Sequence, residues 1–286
     1  MFATFKYTLR KYRGAILGWG LSTALLAWVI VAFYETVAKN AQQFEQLFSA
    51  YPKELMALFG LSGMANFASP TGYLSFEFFS YLPLILGIFA VLAGSGLLVA
   101  DEEHGILDLI AAHPISRSGL LISRGLALLL TVGIILTMGF ATLAILSPNS
   151  ALVISTSQLL IPFISLFALL IFLAALAFLF SMLLPSRQTA AMLSGIMLVA
   201  SFFLNGLSKL NESLAGVEKF LPLHYFQGET WTAGLNWTWL AILLSSAAIC
   251  SLVAWWLFLR RDIRVGGEGG WSLPKLLLRK QAAAKA

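Results

Sequence analysis

"GLALLLTVGIILTMGFATLAILSPNSALVISTSQLLIPFISLFALLIFLAALAFLFSMLLPS" (residues 125–186) contains no Asp, Glu, Lys or Arg. About 20 apolar helical residues cross the hydrocarbon core of a bilayer, so this stretch is long enough for two crossings. The turn formers of "LSPNS" (146–150) divide it, and "LLPSRQ" (183–188) closes it with Arg187. Working outward, further apolar runs of similar length appear on both sides. The pattern predicts six transmembrane helices, over 15–34, 81–100, 125–146, 159–184, 189–207 and 239–259. The whole chain is 59% hydrophobic and 11% charged, where a soluble domain carries about 25% charged residues. Only helices and closed barrels satisfy every backbone polar group in lipid. A barrel would show short alternating segments, and these runs are continuous. The expected fold class is an all-α polytopic membrane protein, one transmembrane domain over 1–286. The lone Cys250 lies in an apolar run and has no intrachain disulfide partner.

Six spans put both termini on one side, and the distribution of Lys and Arg selects which. Of 18 Lys and Arg, only Lys39, Lys53, Lys209 and Lys219 fall on the far side. Both termini are therefore expected in the cytoplasm, with the chain in the plasma membrane. The net charge of +5 reads as this topology signal and not as a nucleic-acid surface. Before the first span, "MFATFKYTLRKYRG" (1–14) mixes aromatics with Lys6, Arg10, Lys11 and Arg13, which suits an amphipathic helix on the membrane surface. The outer loop 35–77 has room for a short helix, "FEQLFSAYPKELMALFGL", ahead of "SPTGY". The outer loop 208–238 is dense in aromatics and interrupted by Pro222 and Gly228; a re-entrant hairpin is expected there, before the last span. Residues 260–286 read as a basic, glycine-hinged cytoplasmic tail.

Several chemistries lack their residues. No glycine-rich phosphate loop occurs; "AGSGLL" (93–98) is a lone GxG inside a span, and Ala90 and Gly94 suit close helix approach. His104, His113 and His224 form no metal-ligand spacing. The Glu102-Glu103 pair has Ile106 where some intramembrane proteases carry arginine. The predicted spans hold no ionisable residue of the kind that ion-coupled carriers use; Glu35, Glu77 and Arg124 all fall at span ends. The chain has the form of a transport pathway without an engine.

The first loop on the terminal side, "VADEEHGILDLIAAHPISRSGLL" (99–121), is the most informative segment. Asp101–Glu103 suit the first turn of a helix, where acids meet the positive end of the dipole. Gly105 permits a bend, and Ile106, Leu109 and Ile110 form an apolar face. Pro114 ends the helix, and Ser116 or Ser118 can cap the third span. The expectation is a short helix over 101–114 across the cytoplasmic mouth, followed by Arg117.

This loop resembles that of ABC transporter permease subunits of the ABC-2 (type V exporter) kind. The common pattern E-E-x-G-[TI]-L-[ED]-L-[LI]-x-x-x-P-[IV]-S-R is matched by Glu102, Glu103, Gly105, Ile106, Leu107, Asp108, Leu109, Ile110, Pro114, Ile115, Ser116 and Arg117. "LPLHYF" (221–226) and "FLRRDI" (258–263) agree with the family around the final span. The resemblance implies a partner ABC ATPase that holds the ATP, with no cofactor on this chain. It also implies a second permease chain, identical or homologous, and a hydrophobic or amphipathic cargo such as a drug, lipid or peptide. The coupling helix would engage the ATPase through Glu102, Glu103, Gly105, Ile106, Asp108, Leu109, Ile110, Pro114 and Arg117. The surface helix would dock on it through Arg10, Lys11 and Arg13. An ion-coupled secondary transporter and a membrane-embedded enzyme or scaffold are the competing expectations. The first has only edge carboxylates such as Glu35 and Glu77 to use, and the second lacks a catalytic cluster.

Overall fold

The computed structural model describes residues 1–52, 69–106, 116–208 and 215–260. Helix α1 (Phe2–Lys39) and the short α2 (Ala41–Ser49) open the chain, and α3 (Pro70–Leu74) leads through a π-helical turn, Ser75–Phe79, into α4 (Leu82–Ser95). Then follow α5 (Val99–Glu103), α6 (Arg117–Leu146), α7 (Thr156–Leu183) and α8 (Arg187–Ser208). A short α9 (Ala215–Glu218) and two 3-10 turns precede α10 (Trp237–Arg260). Six of these segments are long and apolar enough to cross a membrane, with α3 to α4 counting as one. No strand occurs among the described residues.

Three boundaries differ from the sequence expectation. The surface helix expected over 1–14 is not a separate element: α1 runs through 38 residues without a break. No proline occurs in this stretch, and a Cβ at Gly14 or Gly18 would meet nothing within 4 Å, so neither composition nor crowding stops the helix. At 1.5 Å per residue it is about 57 Å long, well beyond the ~30 Å apolar core, and its basic end extends the first span. The second span begins at Pro70, not Tyr81. Ser69 accepts a hydrogen bond from the Gly72 amide at 3.1 Å and Pro70 takes the first helical position, so "SPTG" starts a helix instead of ending a loop. The third span begins at Arg117, where Ser116 caps the Gly119 amide at 3.1 Å. The expected helix within 44–61 is met at its start by α2, residues 53–61 lie outside the described residues, and so does the tail beyond Arg260.

The core is built around α7, which lies against α4, α6, α8 and α10, while α1 lies along α6. Small residues bring α4 onto α7: a Cβ added to Gly94 would sit 2.2 Å from the Ala174 carbonyl oxygen. This is the close helix approach expected of the Ala90/Gly94 spacing. Phe163 of α7 takes edge contacts from Phe79 and Phe140, with ring centroids 5.5 and 5.6 Å away. On α1, Gly20, Thr23, Ala27 and Tyr34 face inward, while Leu17, Leu21, Leu25 and Trp28 are exposed. An apolar face turned outward is what a lipid solvent permits.

Cross-contacts define two ends of the bundle. At one end, which holds the N-terminus, the Ser123 hydroxyl donates to the Met1 carbonyl (3.1 Å) and Arg117 Nη1 to the Phe258 carbonyl (3.5 Å). There too Trp255 Nε1 donates to Ser118 Oγ at 3.2 Å. This is the terminal end. At the other, the segment after α9 folds back onto the helices, as expected of the aromatic loop. Buried Trp231 donates from Nε1 to Ser75 Oγ (2.8 Å), the Gln227 amide to Ser165 Oγ (2.9 Å) and the Leu223 amide to Ser201 Oγ (3.3 Å). This is the loop end.

Candidate functional site

At the terminal end, the chain leaves α4 through Gly96–Leu98 and enters α5 with its first two acids buried. Asp101 is 3% exposed and Glu102 is buried as well. They fall in the first turn of α5, as the sequence suggested, and that turn is packed inside the bundle. An isolated carboxylate in such surroundings is costly, and Asp101 is paired twice. Lys11 Nζ of α1 lies 2.6 Å from Oδ1, and Arg124 Nη2 of α6 lies 2.7 Å from Oδ2. Arg124 Nη1 also donates to the Leu97 carbonyl at 2.8 Å. One carboxylate thus ties together the first span, the third span and the exit of the second.

Arg124 is 2% exposed, and its position follows from the early start of α6. A helix capped by Ser116 carries Arg124 two turns inside its first residue. The guanidinium is only partly served. Nη2 is within ion-pair distance of Asp101 but out of line for a hydrogen bond, and Nε has no hydrogen-bond partner among the described residues. A buried pair of this kind is expensive to break on one side, by about 3–5 kcal/mol, because the surviving charge stays buried.

Of the residues expected to engage an ATPase, Glu103 is exposed and accepts a hydrogen bond from the Arg187 amide at 3.1 Å, linking the loop root to α8. His104 Nδ1 is hydrogen-bonded to the Ala100 carbonyl. Gly105 adopts φ +67°, the left-handed region that glycine enters freely, so the bend falls where it was expected. Ile106 is half-buried and Arg117 is the first residue of α6. Asp108, Leu109, Ile110 and Pro114 lie outside the described residues. Arg10 and Arg13 are exposed on α1, while Lys11 is taken up by Asp101.

The structure brings Lys11, Glu103, Gly105 and Arg117 to one end of the bundle, and adds two residues that sequence reasoning left out, Asp101 and Arg124. The available signal was the serine at 116: a helix started there cannot leave Arg124 at a span edge, and an arginine inside a span needs a nearby acid. At the loop end a second polar cluster sits beside a cavity of about 180 Å³. His224 Nδ1 lies 2.6 Å from Glu218 Oε1, and its ring is stacked obliquely on Trp239 with centroids 5.3 Å apart. Among the described residues no group of three His, Cys, Asp or Glu side chains is placed to hold a metal ion.

A helical bundle whose connecting loop is tied by charge to two spans can pass a displacement of that loop into the membrane. Comparison with known families places the chain: the family model described as "ABC-2 family transporter protein" matches residues 9–263. That match takes in all six candidate spans, apart from the first residues of α1, and the whole of the 99–121 loop. The comparison with curated proteins finds no match.

Proposed function

This chain belongs to the ABC-2 family of transporters, and from that premise we propose that it is the permease of an ATP-driven exporter. Its nucleotide sites sit on a separate ATPase subunit, and ATP is the only cofactor of the assembly. The observation that carries the reading is the Lys11–Asp101–Arg124 arrangement at the root of the 104–116 loop. A loop pushed by a cytoplasmic motor needs an attachment to more than one span, and an ion-paired carboxylate between α1 and α6 supplies it. Glu103, Gly105, Ile106, Asp108, Leu109, Ile110, Pro114 and Arg117 form the contact element, with Glu102 buried at its root and Arg10 and Arg13 on the exposed end of α1 as a second contact. Both termini are cytoplasmic, by the Lys and Arg asymmetry, and the membrane is the plasma membrane.

The cargo is hydrophobic or amphipathic, and a second permease chain completes the pathway. The exposed apolar faces of α1, α8 and α10 are available to that chain and to lipid. An ion-coupled carrier finds less support, because Asp101, the most buried acid among the described residues, is already neutralised by two cations.

The test is direct. The purified chain alone should hydrolyse no ATP, and adding the co-expressed ATPase should restore hydrolysis and transport. Association energy concentrates in a few buried anchors, so Leu109→Asp should weaken capture of the ATPase by at least about tenfold at matched membrane expression. Sustained turnover by the isolated chain, or full capture by Leu109→Asp, would defeat the reading.

A further inference from the structure

Beside the Asp101 cluster lies a cavity of about 180 Å³ whose lining includes Lys11, Tyr12, Gly96, Asp101, Arg124 and Arg187. Three of these side chains are cationic and one is anionic, so the cavity keeps positive charge after Asp101 is paired. It also holds an unmet donor: Arg124, 2% exposed, has no hydrogen-bond partner for Nε among the described residues. A buried guanidinium with a free donor, next to a second arginine, is a place for an oxyanion, because arginine presents paired N–H groups to phosphate oxygens.

A second space adjoins the first. A groove of about 450 Å³ runs between α6, α7 and α10, bounded by Gly125, Leu128, Phe167, Phe178 and Leu244. Its lining is apolar apart from Ser251. Leu97 belongs to both walls, and Gly125 follows Arg124 directly. A charged chamber at the end of the spans and an apolar groove at membrane depth therefore meet at one residue.

We propose that this pair of spaces is a binding site for an anionic phospholipid, with its phosphodiester at Arg124, Arg187 and Lys11 and an acyl chain in the groove beyond Leu97. A free phosphate would use only the chamber and would leave the groove unexplained. A zwitterionic lipid would bring its ammonium against the cations. Basic pockets between transmembrane helices near the headgroup level suit acidic headgroups for the same reason. The bound phosphate gives Arg124 Nε the acceptor it lacks, so occupancy stiffens the junction of α1, α5 and α6.

The experiment releases the full-length chain into native mass spectrometry from nanodiscs made of equal phosphatidylcholine and phosphatidylglycerol. The wild type should retain phosphatidylglycerol selectively. Arg187→Gln, which removes a half-exposed cation, should lower that retention by about tenfold. Gly96→Leu should do the same without changing charge, since an added Cβ already comes within 3.0 Å of Arg187 Nε. Lys39→Gln, exposed at the opposite end of α1, should retain the lipid as wild type does. Thermal unfolding in detergent supplies the second readout: phosphatidylglycerol should raise the midpoint, and inorganic phosphate should not. Equal retention of both lipids by the wild type would overturn the proposal. So would selectivity that survives both Arg187→Gln and Gly96→Leu, or an equal midpoint shift from inorganic phosphate.

Discussion

The two ends of the bundle are fastened by different physics. At the terminal end the fastening is ionic, with Asp101 between Lys11 and Arg124. At the loop end it is mostly neutral: indole and amide donors meet the serines at 75, 165 and 201, and Phe79 packs against Trp231. Neutral hydrogen bonds combined with close aromatic packing have one good arrangement and hold it. A carboxylate shared by two cations has several, since either partner can loosen while the other keeps the charge compensated. In the proposed exporter the contrast puts the moving parts at the terminal end and the fixed frame at the loop end.

Breaking the ionic fastening should have the largest effect. Asp101→Leu leaves Arg124 buried without its carboxylate and should destabilise the chain by about 3–5 kcal/mol, read by thermal unfolding in detergent. The double variant Asp101→Leu/Arg124→Leu should recover most of that loss, because no buried charge is stranded. A double variant as unstable as the single one would remove the distinction between the ends. Next comes the packing between α4 and α7. Gly94→Ala drives a methyl into the Ala174 carbonyl and should cost about 1–3 kcal/mol. Gly20→Ala should cost clearly less in the same assay, since its neighbour is only the flexible tip of Met138.

At the loop end, Ser75→Ala removes the acceptor of the Trp231 indole and should cost about 1 kcal/mol. That loss should not change with salt, whereas the effect of Lys11→Gln, at a pair whose lysine is 47% exposed, should shrink as salt rises. The smallest change is Gly14→Ala. With nothing within 4 Å of the added methyl, it should stabilise α1 by about 0.5–1 kcal/mol. A loss there would mean that the helix needs a hinge at Gly14 after all.

Much of the fold was legible because lipid is a simple solvent: uninterrupted apolar runs bounded by "LSPNS", "LLPSRQ" and "FLRRD" report helices by length alone. The inward Ala90/Gly94 face was legible for the same reason, since small residues at helical spacing have few other uses in a span. The helix starts were legible only in part: Ser116 was among the expected caps of the third span, but the starts of the first and second spans were not read. Proline in "SPTGY" signals a break when read as a turn former and a beginning when Ser69 caps the next turn. The basic 1–14 segment looked separable because its charge differs from that of the span, yet charge does not end a helix; proline or a cap does. Asp101 stands in the first turn of a helix as expected, but its burial was not legible, because only the third span's early start at Arg117 brings a buried arginine to meet it. The glycine bend at Gly105 was readable, because a left-handed φ excludes most other residues.

The claim that the terminal end is the driven end can be tested by cross-linking. With Cys250→Ser as background, a cysteine placed at Leu109 should be captured by the co-expressed ATPase in intact membranes when a short bifunctional thiol–amine reagent is added. A cysteine at Gly216, at the loop end, should give no such product. Capture at Gly216, or no capture at Leu109 while the complex still hydrolyses ATP, would contradict the account.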